Sequence, residues 1–260
     1  MIFFGKGSRL SDLKSGLKDR AAFQLQLKDR ASAGKVLAAV LKAVVKKRKD
    51  QNILVLGIPR GGVIVADVVA EKLNADYFDI IISRKLRAPD NKENSIGAIS
   101  QDGSIVYLDE FMIQSLKVTP EYIEQEKQEQ LREIECRTAM YRSIKKEEGG
   151  KEKQTYPITP GKTIVVLIDD GIASGATVIA AARWIKAQYK PAQLIIAAPV
   201  ASKQAKELLE KEAAANIIET VTTPSNFVSV NQFYKDFEQV SEDSVIDILK
   251  KRSSFQAGDK

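Results

Sequence analysis

The sequence contains no histidine. Without an imidazole there is no Ser-His-Asp triad, no Cys-His pair and no histidine-bound metal. Cys136 is the single cysteine, so no disulfide closes within the chain, and a reducing, cytoplasmic setting is expected. Any metal would be a hard, oxygen-bound ion such as Mg2+. No apolar run approaches the roughly 20 residues of a membrane helix. Met1–Phe4 is too short an apolar run for a signal peptide, and no membrane partner is expected.

What is present is a globular composition. The 260 residues are 44% hydrophobic, enough for one α/β domain with an appendage and too apolar for disorder. Charged residues make up 28%, of both signs, with a net charge of +6. That balance suits an anionic ligand and is thin support for nucleic acid, which is not expected as a partner.

Residues 1–22 are basic and weakly patterned and read as an N-terminal extension; residues 23–252 read as one domain and 253–260 as a frayed tail. Ala33–Lys47 has helical spacing, with Val36, Leu37, Val40, Leu41, Val44 and Val45 on one stripe. The "KKRKD" that closes it, Lys46–Asp50, reads as a solvated helix end, a nucleic-acid patch being the alternative. Ile53–Ile58, Tyr77–Ile82, Ile164–Ile168, Leu194–Ala197 and Asn216–Thr220 have the length and apolarity of buried strands. Helical patterns at Val63–Leu73, Ala176–Tyr189 and Ser202–Lys211 alternate with them, and Ser241–Lys251 is a last helix. The alternation predicts a doubly wound α/β fold with a mainly parallel sheet. Lys85–Gly103 reads as a polar loop, with a short hairpin pairing Ile96–Ile99 with Ile105–Leu108. Thr119–Lys146 is a long charged helix pattern, closed by "EEGGKEKQ".

Ligands of a parallel sheet bind beyond the carboxyl ends of its strands. After the strand at Ile164–Ile168 the chain reads "DDGIASGAT". In Gly171, Ile172, Ala173, Ser174, Gly175, Ala176 and Thr177, small residues allow the backbone to wrap closely around an anion. The helix that follows aims its N–H groups and its positive dipole end at the same point. Ser174 and Thr177 add hydroxyls, although simple capping by Ser174 would also explain the loop. The Gly-Lys-Ser/Thr ending of a Walker loop is absent. Asp169 and Asp170, directly before the loop, do not favour a phosphate. They suit the 2- and 3-hydroxyls of a sugar, and they would stabilise positive charge on a ribose ring. "PRGG" supplies a second anion site, with Pro59, the fixed charge of Arg60, and Gly61 and Gly62 opening a helix. Arg84 and Lys85 end the next strand, before a loop of functional length. A tight turn at "PRGG" and snorkelling of Arg84 and Lys85 are the plain alternatives. Taken together, one phosphate cradle, one acid pair for ribose and two cationic contacts fit phosphoribosyl pyrophosphate.

"VVLIDDGIASGAT" resembles the signature of the type I phosphoribosyltransferases, "PRGG" the position of their pyrophosphate loop, and Arg84–Lys85 the start of their mobile loop. "LKDRASAG" (Leu27–Gly34), "SRKLRAP…IGAIS" (Ser83–Ser100), "ECRTAMYR" (Glu135–Arg142), "APVAS" and "FVSVNQFYKDF" (Phe227–Phe237) resemble a bacterial and archaeal subgroup named only as predicted phosphoribosyltransferases. Ser174 stands where threonine is commoner, which keeps the hydroxyl. The resemblance implies the fold with a small hood, and Mg2+ with phosphoribosyl pyrophosphate, the ion touching Asp169 and Asp170 only through ligand or water. It also implies catalysis by Asp169, Asp170, Arg60, Arg84 and Lys85, closure of a loop over 84–108, and a cis peptide between Pro59 and Arg60. It implies no particular acceptor. A nucleobase or related amine is expected, with Phe227, Phe233, Tyr234 and Phe237 either stacking on a base or packing as hood core. A homodimer is left open. Two other classes stay open: a ligand-sensing regulator of the same fold that binds nucleic acid, and a hydrolase or phosphorylase of a ribose phosphate.

Overall fold

The computed structural model describes residues 26–92, 94–142 and 156–257. The extension read over 1–22 and the "EEGGKEKQ" segment lie outside them. Five wholly parallel strands form the central sheet: β1 (Asn52–Gly57), β2 (Tyr77–Ile80), β6 (Thr163–Ile168), β7 (Gln193–Val200) and β8 (Ile217–Thr222), in the order β2-β1-β6-β7-β8. Successive side chains of a strand point to opposite faces, and the sequence fills both. Ile53, Val55, Ile164, Val166, Ile168 and Ile195 turn one way and meet α1 (Arg30–Val44) and α2 (Gly61–Leu73). Leu54, Leu56, Val165, Leu167, Leu194 and Ile196 turn the other way, onto α5 (Ala176–Tyr189) and α6 (Lys203–Glu212). Both faces are covered, which is why these strands read as unbroken apolar runs. The doubly wound fold expected from the sequence is the one observed.

Helix α1 differs from its expected phase. Its buried face is Ala33, Gly34, Leu37, Ala38 and Leu41, while Val36 is 40% exposed. Small residues win that face because α1 lies close on α2: a Cβ added at Gly34 would stand 2.8 Å from the Val68 Cβ. The helix starts at Arg30, capped by the Asp29 carboxylate, which accepts from the Ser32 N–H at 2.7 Å. It ends at Val44, so "KKRKD" lies beyond it and is not its dipole-matching end. Lys47 instead bonds Asp76 at 2.7 Å, docking that segment beside the start of β2.

The segment expected as a polar loop is ordered sheet. β3 (Arg84–Arg87), β4 (Ser95–Ile99) and β5 (Val106–Leu108) form an antiparallel sheet in the order β3-β4-β5. The hairpin is therefore present, but Arg84 and Lys85 lie on a strand of their own rather than at the end of β2. The segment has a core after all: Leu86, Ala88, Ile96, Ala98 and Ile99 are buried. After it come α3 (Glu110–Ser115) and α4 (Pro120–Arg142). The charged pattern of α4 hides a polar seam. Its buried Glu126 binds the Arg87 guanidinium at 2.7 Å, and its buried Gln130 accepts from Arg84 Nε at 2.8 Å. The last helix, α7 (Glu242–Ala257), runs past its expected end into the segment read as tail.

Candidate functional site

The strand order turns between β1 and β6. The helix after β1 covers one face and the helix after β6 the other, so a crevice opens beyond their carboxyl ends. The two loops singled out in the sequence, Pro59–Gly62 and Asp169–Thr177, leave these two neighbouring strands.

The acid pair comes first. The Asp169 carboxylate accepts from the Asp170 N–H at 2.9 Å. Crowding by protein, and then the charge of Asp170, push the Asp169 carboxyl well above the ordinary carboxylate range. Asp170 has an unforeseen partner. Arg30, the first residue of α1, donates from Nε to Asp170 Oδ2 at 2.6 Å and from Nη1 to the Glu238 carbonyl at 2.8 Å. Its guanidinium lies 3.8 Å from the centroid of the Phe237 ring. The Asp170 carbonyl accepts from the Tyr234 hydroxyl at 2.6 Å. Gly61 packs directly beneath this pair: a Cβ there would fall 1.9 Å from Asp170 Oδ2 and 2.7 Å from Arg30 Nε. Gly62 meets Asp169 as closely, with a Cβ 2.9 Å from the Asp169 Cα. Both glycines of "PRGG" are thus required by backbone approach to the acid pair.

The loop after the acids is tied down on one side only. Ile172 is buried and pairs with the end of β7: its N–H donates to the Val200 carbonyl and its carbonyl accepts from the Ser202 N–H, both at 2.9 Å. The Ser202 hydroxyl donates to the Ala173 carbonyl at 2.7 Å. Ala173 and Ser174 themselves are exposed. Gly175 takes the left-handed conformation, φ 83°, and is the residue that caps α5, with no side-chain capping bond. Ser174 therefore does not cap the helix. Thr177 is placed in the first turn of α5, where its carbonyl accepts from the Ser83 hydroxyl at 2.9 Å.

The peptide bond between Pro59 and Arg60 is cis, as the resemblance implied. Arg60 extends to α7, its Nη1 3.6 Å from Glu242 Oε1. Arg84 is not brought to the acid pair. It is turned onto α4, bonded to Gln130 and 3.6 Å from the Glu133 carboxylate. Burial, then the nearby charge of Arg137, hold its guanidinium below its ordinary value. Lys85 follows it on β3, where side chains alternate between faces.

The hood is built from two distant stretches. Leu27 bridges Tyr234 in parallel, and the Leu27 N–H donates to the Phe233 carbonyl at 2.8 Å. Phe233 and Tyr234 are buried with Leu27, Ala33 and Val200. Phe227 stacks on Phe233, and Tyr234 lies 4.9 Å from Phe237. Of the two roles considered for these aromatics, Phe233 and Tyr234 serve as core, while Phe237 faces the cleft. That cleft, of about 490 Å3, is lined by Arg30, Arg60, Gly61, Asp170, Val230 and Phe237, a size that suits a small molecule. A depression of about 470 Å3 among Lys46, Arg48 and Gln193 lies at the opposite ends of the strands and touches none of these residues.

In the sequence, Arg30 and Tyr234 stand out only as parts of larger motifs. "LKDRASAG" carries the signal for Arg30, an arginine at a helix start, but no local pattern says that its partner lies 140 residues away. No group of three or more Cys, Asp or Glu among the described residues could hold a metal alone. The two site carboxylates fit an ion only if a ligand supplies further oxygens. No helix among the described residues is long and apolar enough to cross a membrane.

Residues 127–238 match the model of the phosphoribosyl transferase domain. A Mycobacterium tuberculosis protein named "Putative phosphoribosyl transferase" is 32% identical over 233 residues, covering 88% of this chain and 48% of its own, in strains H37Rv and CDC 1551 alike. The chain thus spans about half the length of the curated relatives it matches. The crystal structure of TT1426 from Thermus thermophilus superimposes with a TM-score of 0.66 at 31% identity, covering 87% of this chain and 99% of that one. With the acid pair, the small-residue loop and the glycine turn converging at the switch point of a parallel sheet, the chain belongs to the type I phosphoribosyltransferase family.

Proposed function

We propose that the protein transfers a phosphoribosyl group from 5-phosphoribosyl 1-pyrophosphate to a nitrogen acceptor, a nucleobase or a related amine, and releases pyrophosphate. The observation that carries this reading is the contact of the two loops. Gly61 and Gly62 lie against Asp170 and Asp169, so a leaving-group site and a ribose site adjoin. The exposed turn at Ala173–Ser174 and the start of α5 receive the 5-phosphate. Asp169 and Asp170 accept hydrogen bonds from the ribose hydroxyls and stabilise positive charge on the ring as the C1–O bond breaks. The electron pair leaves with the pyrophosphate, next to Arg60 and the Gly61 amide, whose fixed charge and dipole favour it. The acceptor nitrogen then forms the C1–N bond with its lone pair and loses its proton to solvent. Arg30 holds Asp170 in place, and Phe237 offers an aromatic wall on the hood side. Mg2+, held by ligand oxygens and touching the acids through water, would neutralise the pyrophosphate charge.

The test is pyrophosphate release from phosphoribosyl pyrophosphate and Mg2+ across a panel of nucleobases and amines. Release with at least one acceptor, lost in the double variant Asp169→Asn/Asp170→Asn, is expected. Absence of both release and calorimetric binding of phosphoribosyl pyrophosphate by the wild type would overturn the reading.

A further inference from the structure

The segment "ECRTAMYR" at the end of α4 has no part in the site as described, yet it points there. Arg137 and Tyr141 stand one turn apart on α4, so they share a face. Both converge on Glu242, in the first turn of α7. Tyr141 is buried and its hydroxyl donates to Glu242 Oε2. Arg137 Nη2 stands 3.7 Å from Glu242 Oε1, and Arg60 Nη1 stands 3.6 Å from the same oxygen. One carboxylate oxygen therefore lies between two guanidiniums, one of them from the "PRGG" loop.

Resting on the reading of that loop as the leaving-group site, we infer that Arg137 is a further pyrophosphate-binding residue and that Glu242 is an internal anion competing for the same two arginines. Three observations carry this. Charge-assisted bonds between guanidinium and oxyanion settle at about 2.7–2.9 Å, whereas both contacts to Glu242 are looser by most of an ångström, so the pair of arginines is underused. The three side chains are partly open to solvent, at 28%, 22% and 24% for Arg60, Arg137 and Glu242, so a soluble anion reaches them. Finally, α7 is held independently of Glu242: Arg252 bonds Asp67 of α2 at 2.5 Å, and Val245 and Leu249 are buried. Apart from the Tyr141 bond, the seating of α7 does not rely on Glu242, and the fold presents its other oxygen to the arginines. Arg84, expected for this role from the sequence, is engaged by Gln130 and Glu133, and Arg137 supplies the second fixed charge in its place.

The test is calorimetric titration of the full chain with Mg2+-pyrophosphate and, separately, with ribose 5-phosphate. Arg137→Gln should weaken pyrophosphate about tenfold or more and leave ribose 5-phosphate within twofold. Glu242→Gln, which keeps an acceptor for Tyr141, should tighten pyrophosphate severalfold with ribose 5-phosphate unchanged. Unaltered pyrophosphate affinity in Arg137→Gln, or an equal loss of both ligands, would overturn the inference and leave the proposed function standing. A wild type that binds neither pyrophosphate nor phosphoribosyl pyrophosphate would overturn both.

Discussion

Gly61→Ala puts the least possible matter in the most constrained place. The added Cβ would lie 1.9 Å from Asp170 Oδ2, 2.6 Å from its Cγ and 2.7 Å from Arg30 Nε. A carboxylate at the end of a free side chain would swing aside cheaply. This one is fixed by Arg30 at 2.6 Å, and Arg30 is fixed in turn by the Glu238 carbonyl and the Phe237 ring. Relief therefore requires either parting the ion pair or moving the start of α2. Forced insertion of a methyl into a packed site costs about 1–3 kcal/mol, a fall in Tm of roughly 2–10 °C for a domain of this size. The functional loss should be larger in proportion. On the proposed function, a displaced Asp170 would forfeit its hydrogen bond to a ribose hydroxyl, and a bond to a charged group is worth about 1.5–3 kcal/mol, or on the order of 10- to 100-fold in affinity. Thermal unfolding and calorimetry with Mg2+-phosphoribosyl pyrophosphate read the two effects separately. Gly171→Ala is the comparison: its Cβ would first meet the Val230 side chain, at 2.3 Å, on the hood side of the cleft. A Gly61→Ala protein with native Tm and affinity within twofold of wild type would refute the claim that the two loops form one site.

Three further outcomes are expected. Asp169 has a raised pKa in the fold because of crowding and the Asp170 charge; an acid raised in this way weakens the fold as pH climbs above its unfolded value. Asp169→Asn should therefore raise stability at pH 7, with the gain vanishing below about pH 4 in urea titrations, while ligand binding is lost; no gain at pH 7 would contradict the burial argument. Arg30→Lys should cost about 1–2 kcal/mol by chemical unfolding, since an ammonium lacks the flat fork that meets Asp170, Glu238 and the Phe237 face together; full retention of stability would mean that only charge matters. Ser202→Ala removes the cap of α6, where the hydroxyl accepts from the Ala205 N–H at 2.9 Å, and also the tie to the Ala173 carbonyl. It should cost about 1 kcal/mol and weaken ribose 5-phosphate severalfold in calorimetry, and a variant that loses stability alone would show that the tie does not shape the cradle.

The parallel sheet and the two loops are legible in the sequence because their causes are local. A strand covered on both faces has to be apolar throughout, as in Ile164–Ile168, and a loop that wraps an anion or abuts a carboxylate has to be small, as in Gly61, Gly62 and Gly175. What escapes depends on partners distant in sequence. β3 reads as loop because its arginines are cations whose counterparts, Glu126 and Gln130, sit about 40 residues on along α4. Val36 reads as core because hydrophobicity alone points to it, whereas close approach to α2 selects alanine and glycine for the buried face of α1. Arg30 is marked only as part of the "LKDRASAG" motif and Glu242 not at all, since an exposed-looking charge bears no mark of the group it will meet.

The hood joins parts of the chain that are synthesised far apart. Arg30 and the Glu238 carbonyl it holds are separated by 208 residues. Closing a loop of that length costs about 5 kcal/mol of chain entropy, which the sheet must largely offset before the hood can form. During translation the acid pair is made well before residues 227–237, so a nascent chain can complete its sheet through β8 with Asp170 still lacking the wall that keeps Arg30 in position. Of the parts that meet at the acid pair, the wall formed by Phe237 and the Glu238 carbonyl is therefore the last to be made.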